Sequence, residues 1–189
     1  KDDILASIDL KSSILQDDNL MHKILDISLK CIQTLNSGGK IIFCGNGGSF
    51  SDAQHLSAEF TSKFLFNRPS LASIALGTNS SALTAICNDY GFDNVFSREI
   101  ESIGNSNDFL IAITTSGNSI NILKAINAAD KLGINSIVFT GQSRGKLGMR
   151  VETLNIPSLD TARIQECHIL VGHIICRLVE AAIFKSEYL

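Results

Sequence analysis

Five short apolar runs, rich in β-branched residues, alternate with segments of helical periodicity along this chain of 189 residues. The runs predict strands at 40–44, 71–76, 109–114, 136–140 and 151–156, separated by helices near 49–65, 79–87, 92–103 and 119–132. Such alternation is typical of a parallel sheet with helices on both faces. The near-continuous apolar run at 109–114 fits burial on both sides of that sheet. The predicted fold class is therefore α/β, with a five-stranded parallel sheet flanked by helices.

Further helices are predicted outside this alternation. Two helices at 3–16 and 19–36 precede the first strand, and a long helix at 161–186 follows the fifth one. The long helix is apolar nearly all round, which indicates burial on most sides. Packing against a second copy of the chain would supply that burial, so a homo-oligomer is expected.

A single domain is expected, because no linker, repeat or low-complexity segment divides residues 1–189. Residues 1–39 are assigned to the N-terminal helices, and residues 40–189 to the α/β core and the C-terminal helix. The length suits one ordinary domain with a sizeable core.

Composition argues against a nucleic-acid or membrane partner. The net charge is −3, and lysine and arginine form no stripe that could follow a phosphodiester backbone. The five cysteines include no C-x-x-C pair, and their odd number excludes a complete disulfide framework. Reduced thiols in a cytoplasmic protein are therefore expected. Neither a signal-peptide pattern nor an uninterrupted apolar run of about 18 residues is present, so a soluble, unexported protein is expected.

A glycine-rich turn at residues 44–49 follows the first predicted strand and opens onto a helix. Unpaired N–H groups point outward at a helix N-terminus, so such a turn is well suited to bind an anion. Further along the helix, His55 and Glu59 lie four residues apart, which places both side chains on one face. They are candidates for an acid/base or metal-binding pair, with a solvated ion pair as the open alternative.

A second loop, at residues 114–119, follows the third predicted strand and opens another helix. Its hydroxyls, glycine and helix N–H groups suit a phosphate monoester, although N-capping by Ser116 or Ser119 would also account for them. Ligands of parallel sheets bind at the carboxyl ends of strands, which favours a ligand site formed by both loops. The chain contains neither G-x-x-x-x-G-K-[ST] nor G-x-G-x-x-G, so a nucleoside triphosphatase and a dinucleotide-binding fold are unsupported.

Two further polar groups have competing interpretations. Asn88-Asp89 precedes Gly91, and alone it indicates an ordinary polar turn. The long final helix carries Gln165, Glu166, His168 and His173 among apolar neighbours. His168 alone indicates a core or interface histidine. Together, however, polar groups on a mostly buried helix need partners, which raises the expectation of a site there.

Four segments together resemble the phosphoheptose isomerase branch of the sugar isomerase (SIS) domain family. They are CGNGGSFSDAQHLSAEF, NDYGFDNVFSRE, TTSGNSINILKAI and TARIQECHILVGHI, and the similarity extends over essentially the whole chain. The resemblance implies a flavodoxin-like five-stranded parallel sheet and a homotetramer. It also implies conversion of sedoheptulose 7-phosphate to D-glycero-D-manno-heptose 7-phosphate, the first step toward nucleotide-activated heptose for lipopolysaccharide or capsule.

The resemblance also assigns site residues. Substrate would be held by Asn46, Gly47, Gly48, Asn88, Asp89, Thr114, Thr115, Ser116, Ser119 and Gln165. One zinc ion per subunit would be held by His55, Glu59, Gln165 and His173, with Glu59 and His173 also forming the acid/base pair. The chain departs from the family's commoner pattern at Thr114, where serine is frequent, and at Lys63, where arginine is frequent. A lysine offers a point charge instead of a bidentate phosphate contact.

The chemistry implied by the resemblance is a proton transfer between C1 and C2 through an enediol or enediolate. Glu59 is the expected carbon base, and His173 is expected to deliver a proton to oxygen or to the opposite face. A zinc ion could polarise the carbonyl as a Lewis acid. A glutamate firmly bound to metal is not freely basic, so the two roles of Glu59 conflict unless its coordination is loose or transient.

The spacing of Gln165 and His173 leads to a hypothesis about the assembly. Eight residues on one helix correspond to roughly 12 Å of rise, whereas zinc–ligand bonds are only about 2 Å long. We therefore expect the site to be shared between subunits, with Glu59 and His173 from different chains as one version.

Two alternatives come from other functional classes. A catalytically silent SIS protein that binds a replication initiator is similar over the same length, but that branch typically lacks the residues matching Glu59 and His173. A sugar-phosphate-sensing regulatory domain usually accompanies a DNA-binding module, for which 189 residues leave no room.

Overall fold

The computed structural model describes residues 1–148 and 151–184 of the chain. Its helices are α1 (Asp2–Leu15), α2 (Asp18–Asn36), α3 (Gly48–Thr61), α4 (Ser80–Tyr90), α5 (Val95–Ile103), α6 (Ile120–Lys131) and α7 (Thr161–Phe184). Its strands are β1 (Ile41–Gly45), β2 (Ser73–Ala75), β3 (Phe109–Ile113), β4 (Asn135–Thr140) and β5 (Glu152–Asn155). The alternation of strands and helices predicted from the sequence is confirmed.

The five strands form one parallel sheet in the order β2-β1-β3-β4-β5. This is the flavodoxin-like order, in which the direction of strand addition reverses between β1 and β3. The loops that leave these two strands diverge to opposite faces of the sheet and open a crevice at its carboxyl edge. The predicted fold class is confirmed, and the crevice is where such a sheet binds ligands.

Both faces of the sheet are covered by apolar layers. Phe43 and Phe109 pack with residues of α2, α3 and α7 on one face. Their neighbours Ile42 and Leu110 point the other way and pack with α5 and α6. Alternate side chains of a strand face opposite sides of a sheet, so a strand that is buried on both sides must be apolar throughout. Every residue of β1 and β3 is accordingly buried.

Local sequence signals define several helix starts. The Asp17 carboxylate accepts a hydrogen bond of 3.1 Å from the Leu20 backbone N–H at the start of α2. The Asn79 side chain accepts one of the same length from the Ala82 N–H at the start of α4. Short polar side chains at these positions satisfy N–H groups that have no partner within the helix.

The third helix ends earlier than predicted, at Thr61 instead of residue 65. The guanidinium group of Arg68 donates hydrogen bonds to the backbone carbonyl oxygens of Glu59 and Phe60, at 2.7 and 2.9 Å. In a longer helix these carbonyl oxygens would accept hydrogen bonds from the N–H groups of the next turn. Here the Arg68 side chain takes the place of those donors. This contact spans nine residues and depends on the path of the following loop, so local periodicity could not predict it.

Other boundaries also differ from the predictions by a few residues, as at the end of α4, which continues to Tyr90 instead of residue 87. The segment predicted as one helix at 92–103 begins with a 3₁₀ turn at Phe92–Asn94, and α5 follows it. The final helix is described to Phe184, so the last two residues of the predicted range 161–186 lie outside the described residues.

The final helix α7 is long and apolar enough, by length and composition, to cross a membrane. It nevertheless packs along α2 and α3, and 44% of its most apolar 18-residue window is buried inside the protein. It also carries Glu180, whose side chain is paired with that of Arg68 in the protein interior. These contacts are those of a core helix.

Apolar side chains also remain exposed on the N-terminal helices. Ile4, Leu5 and Ile8 on α1 are each more than half exposed, as is Leu29 on α2. The five cysteines are free thiols, and all except Cys87 are buried. The prediction of reduced thiols agrees with this arrangement.

Candidate active site

The glycine-rich turn joins β1 to α3 at the crevice. Gly47 has φ 56° and ψ −121°, a conformation that side chains rarely adopt, and it precedes the first residue of α3. A Cβ atom on Gly48 would lie only 2.7 Å from the side-chain nitrogen of Gln165. Glycine at these two positions lets the turn bend sharply and lets α7 approach the N-terminus of α3. A helix N-terminus of this kind carries N–H groups and partial positive charge that can bind an anion.

The second loop joins β3 to α6 on the other side of the crevice. Thr114 is buried, and its hydroxyl lies 3.5 Å from that of Ser119. Ser119 is the N-cap residue of α6, yet its side chain makes no capping hydrogen bond. The Ser116 hydroxyl accepts a bond of 3.2 Å from the Asn118 N–H, within the loop itself. The side chain of Ser119 therefore does not act as an ordinary helix cap, which was the alternative interpretation.

The two loops and the start of α7 enclose a cavity of about 300 Å³. Eight of the ten predicted substrate-binding residues line it: Asn46, Gly47, Gly48, Thr114, Thr115, Ser116, Ser119 and Gln165. Asn88 and Asp89 do not line this cavity. They lie at the exposed end of α4, where the Asn88 amide donates a bond of 2.8 Å to the Asp89 carboxylate.

A cluster of acid/base groups lies where α3 passes α7. The Nε2 atom of His55 is 3.0 Å from a carboxylate oxygen of Glu59 and 3.3 Å from the Nε2 atom of His173. One ligand atom from each of the three residues falls within 4.8 Å of those of the other two. The helical spacing of His55 and Glu59 is confirmed, and His173 is the third member that a neighbouring helix supplies.

The surroundings of His173 favour its neutral form. Phe64 stacks on the imidazole, with ring centroids 5.5 Å apart. Burial lowers the pKa of His173, and nearby His55 lowers it further, while the Glu59 carboxylate acts in the opposite direction. A neutral imidazole can accept or donate a proton, as general acid–base chemistry requires.

The other histidine of α7 has a structural role. His168 is fully buried, and its Nε2 atom lies 3.2 Å from the backbone carbonyl oxygen of Thr140. Burial lowers the pKa of His168 to about 4, against a weaker opposing effect of that hydrogen bond. The sequence-based interpretation of His168 as a core histidine is confirmed.

Close packing of α3 and α7 brings the cluster together within one chain. A Cβ atom on Gly172 would lie 2.5 Å from the Leu56 side chain, which would then have to shift, so glycine allows the two helices this close approach. Gly172 precedes His173, and Leu56 follows His55, so the contact sets the two histidines side by side. The hypothesis that Glu59 and His173 come from different chains is therefore wrong, because one chain supplies both.

The donor set of the cluster fits a zinc ion. Two imidazoles and one carboxylate are ligands that zinc accepts, and they leave a further position for water or substrate. Gln165, the fourth predicted ligand, lies beside Gly48 at the cavity instead. It is eight residues before His173 on the same helix, roughly 12 Å along the axis.

Two structural contacts of the site were not identified from the sequence. Asn121 of α6 forms a pair of hydrogen bonds with Asn46, and Arg68 forms a buried ion pair with Glu180 of α7. Each joins residues 75 or more positions apart, so spacing could not reveal the partners. The available signal was a polar residue in an apolar stretch of a predicted helix, as at Glu180.

Comparison with known proteins agrees with the fold. The family described as the SIS domain matches residues 9–141. A phosphoheptose isomerase of Aneurinibacillus thermoaerophilus is 46% identical over 189 residues, which cover 100% of this chain and 96% of that protein. Phosphoheptose isomerase 2 of Campylobacter jejuni is 48% identical over 183 residues, or 96% of this chain and 91% of that protein.

Solved structures give the same result. The phosphoheptose isomerase of Neisseria gonorrhoeae matches with a TM-score of 0.85 and 42% identity, covering 93% of this chain and 94% of that one. The enzyme of Francisella tularensis matches with a TM-score of 0.88 and 35% identity, covering 94% of each chain. The chain therefore belongs to the phosphoheptose isomerases of the SIS domain family.

Proposed function

We propose that the protein isomerises sedoheptulose 7-phosphate to D-glycero-D-manno-heptose 7-phosphate through an enediol or enediolate. The observation that carries this proposal is the convergence of His55, Glu59 and His173 beside a cavity lined by hydroxyls and two helix N-termini. An aldose–ketose isomerase needs such a proton-transfer group near C1 and C2. The names of the relatives support the substrate assignment.

In the proposed mechanism, Glu59 removes a proton from the carbon next to the carbonyl and returns it to the neighbouring carbon. His173 exchanges a proton with the oxygen atoms of C1 and C2, which its largely neutral state allows. His55 contacts both residues and keeps their side chains next to each other. Phe64 shields one side of His173 from water.

The phosphate end of the substrate is assigned to the cavity. The N-termini of α3 and α6 supply N–H groups and partial positive charge there, and Ser116 and Ser119 supply hydroxyls. Gln165 at this cavity and His173 in the cluster are roughly 12 Å apart along α7. A seven-carbon open chain has six carbon–carbon bonds and a contour length of roughly 9 Å at about 1.5 Å per bond, to which the phosphate group adds its own length. The similar size of these two lengths supports the assignment of a heptose phosphate to the two parts of the site.

A zinc ion, one per subunit, is part of the proposal. His55, Glu59 and His173 would hold it, and the ion would supply Lewis-acid polarisation of the carbonyl when bound. Gln165 would reach the same ion only by a different placement of its side chain or from a neighbouring subunit. Loose coordination by Glu59 would leave that carboxylate able to act as a base.

The proposed setting is a cytoplasmic homotetramer that acts in the biosynthesis of activated heptose for lipopolysaccharide or capsule, with no nucleic-acid or membrane partner. Exposed apolar side chains on α1 and α2 support self-association. The net charge of −3 does not favour nucleic acid. Binding of a replication initiator, the alternative from a different class, is favoured by no observation, since Glu59 and His173 are both present and adjacent.

The proposal is tested with the intact oligomer, supplied with zinc, and sedoheptulose 7-phosphate. Nuclear magnetic resonance should detect the aldose phosphate and the exchange of its C2 proton with solvent deuterium. Unphosphorylated sedoheptulose is the matched control and should turn over poorly, because remote phosphate binding contributes to orientation. Absence of product from the folded, zinc-loaded protein would refute the assignment.

A further inference from the structure

We infer that Asn121 is a positioning residue of this site: its side chain, paired with that of Asn46, fixes the separation of the two anion-binding loops. The inference deepens the proposed function, because it concerns how the same cavity recognises the phosphate group. Asn121 lies behind the cavity wall and does not line the cavity.

The two side chains form a reciprocal amide pair. The Nδ2 atom of Asn46 donates to Oδ1 of Asn121 at 2.9 Å, and Nδ2 of Asn121 donates to Oδ1 of Asn46 at 2.9 Å. Asn121 is only 2% exposed, so its polar atoms depend on these partners for hydrogen bonding. A buried polar side chain in the first turn of α6 thus makes two hydrogen bonds to the opposite loop.

The orientation of the pair is fixed by a third bond. The backbone N–H of Ile122 donates to Oδ1 of Asn121 at 3.0 Å, which identifies that atom as the oxygen. The other terminal atom of Asn121 is therefore the NH₂ group, and it faces the Asn46 oxygen. The geometry defines which group donates and which accepts at both ends.

This pair is the main direct link between the two loops. Among the described residues, no other hydrogen bond joins residues 46–49 to residues 114–121. Both loops end in helix N-termini that carry partial positive charge and open on the same cavity. Such termini repel each other weakly in the absence of an anion. A neutral bridge holds them at a set distance before the anion arrives, which reduces the ordering that binding must bring about.

The chemistry of the bridge requires a carboxamide at both ends. Each amide contributes one of its N–H donors and its oxygen acceptor, so the two form a reciprocal pair without net charge. An aspartate would lack the donor and would add a negative charge near a phosphate dianion. A serine is too short to reach across from α6, although its hydroxyl could still accept the Ile122 N–H.

The test measures phosphate affinity and not only turnover. Replacing Asn121 by alanine should weaken the binding of inorganic phosphate, measured as a competitive inhibitor and by calorimetry, about 10-fold, the scale of one to two lost hydrogen bonds. KM for the sugar phosphate should rise by a similar factor, while kcat changes by less than about 3-fold. The matched control is Asn127→Ala, which removes an exposed asparagine from the same helix and should leave both values unchanged.

A double-mutant cycle separates positioning from a general loss of stability. If Asn121 acts through Asn46, the double variant Asn46→Ala/Asn121→Ala should bind phosphate no more weakly than Asn46→Ala alone. Additive losses would overturn the inference, as would unchanged phosphate affinity in Asn121→Ala. Should that variant not fold, Asn121→Ser provides the same test, and failure of both to fold would assign Asn121 to the core instead.

The outcome is independent of the isomerase assignment. Phosphate binding and the cycle can be measured on the zinc-loaded oligomer even if sedoheptulose 7-phosphate is not turned over. In that case the substrate proposal fails while the loop-spacing inference stands. If the wild-type protein turns over the substrate but the losses of phosphate affinity in the double-mutant cycle are additive, the isomerase assignment is supported and the loop-spacing inference is refuted.

Discussion

Glu59 is the residue of the site with two proposed chemical roles that are hard to combine. Its carboxylate contacts His55 and lies next to His173, so it belongs to both the proposed proton-transfer pair and the proposed metal site. Only a side chain with a basic oxygen can perform the first task, whereas a neutral isostere can still occupy the same volume. Substitution at Glu59 therefore tests chemistry with little change of shape.

Replacing Glu59 by glutamine should lower kcat by at least about 10²-fold, the usual contribution of a general base, with KM for sedoheptulose 7-phosphate largely retained. Steady-state kinetics on the protein supplied with zinc measures both values. Glu101→Gln, an exposed glutamate of α5, is the matched control. Turnover close to wild type would remove Glu59 from the mechanism.

The hydroxyls of Ser116 and Ser119 should act mainly on binding. Replacing both by alanine is expected to raise KM for the sugar phosphate by about 10-fold or more, because two hydrogen bonds to a charged group are lost. A smaller fall in kcat is expected, since remote contacts also orient the reacting end. Substrate titration provides the test, and an unchanged KM would show that this loop does not hold the phosphate.

At this scale, local patterns predicted some residues and not others. His55 and Glu59 could be predicted from their spacing, and Ser116 and Ser119 from their position in a loop that follows a strand. Asn121 was not, because its role depends on Asn46, 75 residues earlier. Roles that depend on a distant partner become visible only when the sheet places the two loops side by side.

At the scale of elements, the contact between α3 and α7 determines whether the site exists. Gly172 allows the helices to approach, and the Arg68–Glu180 ion pair joins the end of α3 to α7 one helical heptad beyond His173. The Glu180 carboxylate also accepts hydrogen bonds from the backbone N–H groups of Phe64 and Leu65, at 2.9 and 2.8 Å. It thereby anchors the loop that places Phe64 against His173.

Breaking that ion pair should be strongly destabilising. The side chains of Arg68 and Glu180 are only 2% and 1% exposed, so Arg68→Met leaves a buried carboxylate without its countercharge. We expect a loss of about 3–5 kcal/mol in the free energy of unfolding, measured by urea denaturation at fixed protein concentration. Arg177→Met, which replaces an exposed arginine on α7, should change stability little. Equal stabilities of the two variants would contradict the structural role of the pair.

The sequence predicted the elements better than their ends. Helical periodicity identified α3 but extended it to residue 65, because the signal that ends it is a guanidinium supplied by the following loop. The version of the shared-site hypothesis that divided Glu59 and His173 between chains failed for a related reason. It considered α7 alone, whereas the packing of two helices determines which side chains meet.

At the scale of the whole molecule, the buried His168 makes stability depend on pH. Its pKa is lowered to about 4 in the folded protein, below the ordinary value of 6.5, so the unfolded chain binds the proton more tightly. The stabilisation is complete above about pH 6.5 and is lost progressively as pH falls toward about 4. His173, whose pKa is also lowered, acts in the same direction.

The free energy of unfolding should fall by roughly 2 kcal/mol between about pH 7.5 and about pH 5 from His168 alone. Urea denaturation at the two pH values measures this difference. The His168→Gln variant should have a weaker dependence, whereas His22→Gln, which replaces an exposed histidine, should keep the wild-type dependence. Identical pH profiles for wild type and His168→Gln would exclude the buried imidazole as the cause.

Metal removal tests the proposed zinc site. A strong chelator should abolish most of the activity, and zinc should restore it, because His55, Glu59 and His173 provide a suitable donor set. Elemental analysis before and after treatment measures the zinc content. Full activity in protein shown to be metal-free would assign the three residues to proton transfer alone.

The overall architecture was the most predictable property. The alternation of apolar and helical segments predicted a parallel sheet. Few other arrangements bury the strands completely and place helices on both faces of the sheet. The crevice between β1 and β3 then follows from strand order, which periodicity alone does not provide. The exposed apolar side chains on α1 and α2 support the proposed self-association, but the strand order does not predict it.

The position of α7 in the chain has a consequence for how the protein matures during synthesis. His173 and Gln165 lie on α7, which follows all five strands, whereas His55 and Glu59 emerge from the ribosome much earlier. All five strands are therefore synthesised while the site still lacks half of its proposed proton-transfer pair. Docking of α7 against α3 therefore completes the site, so that catalytic competence arises after the strands have been translated.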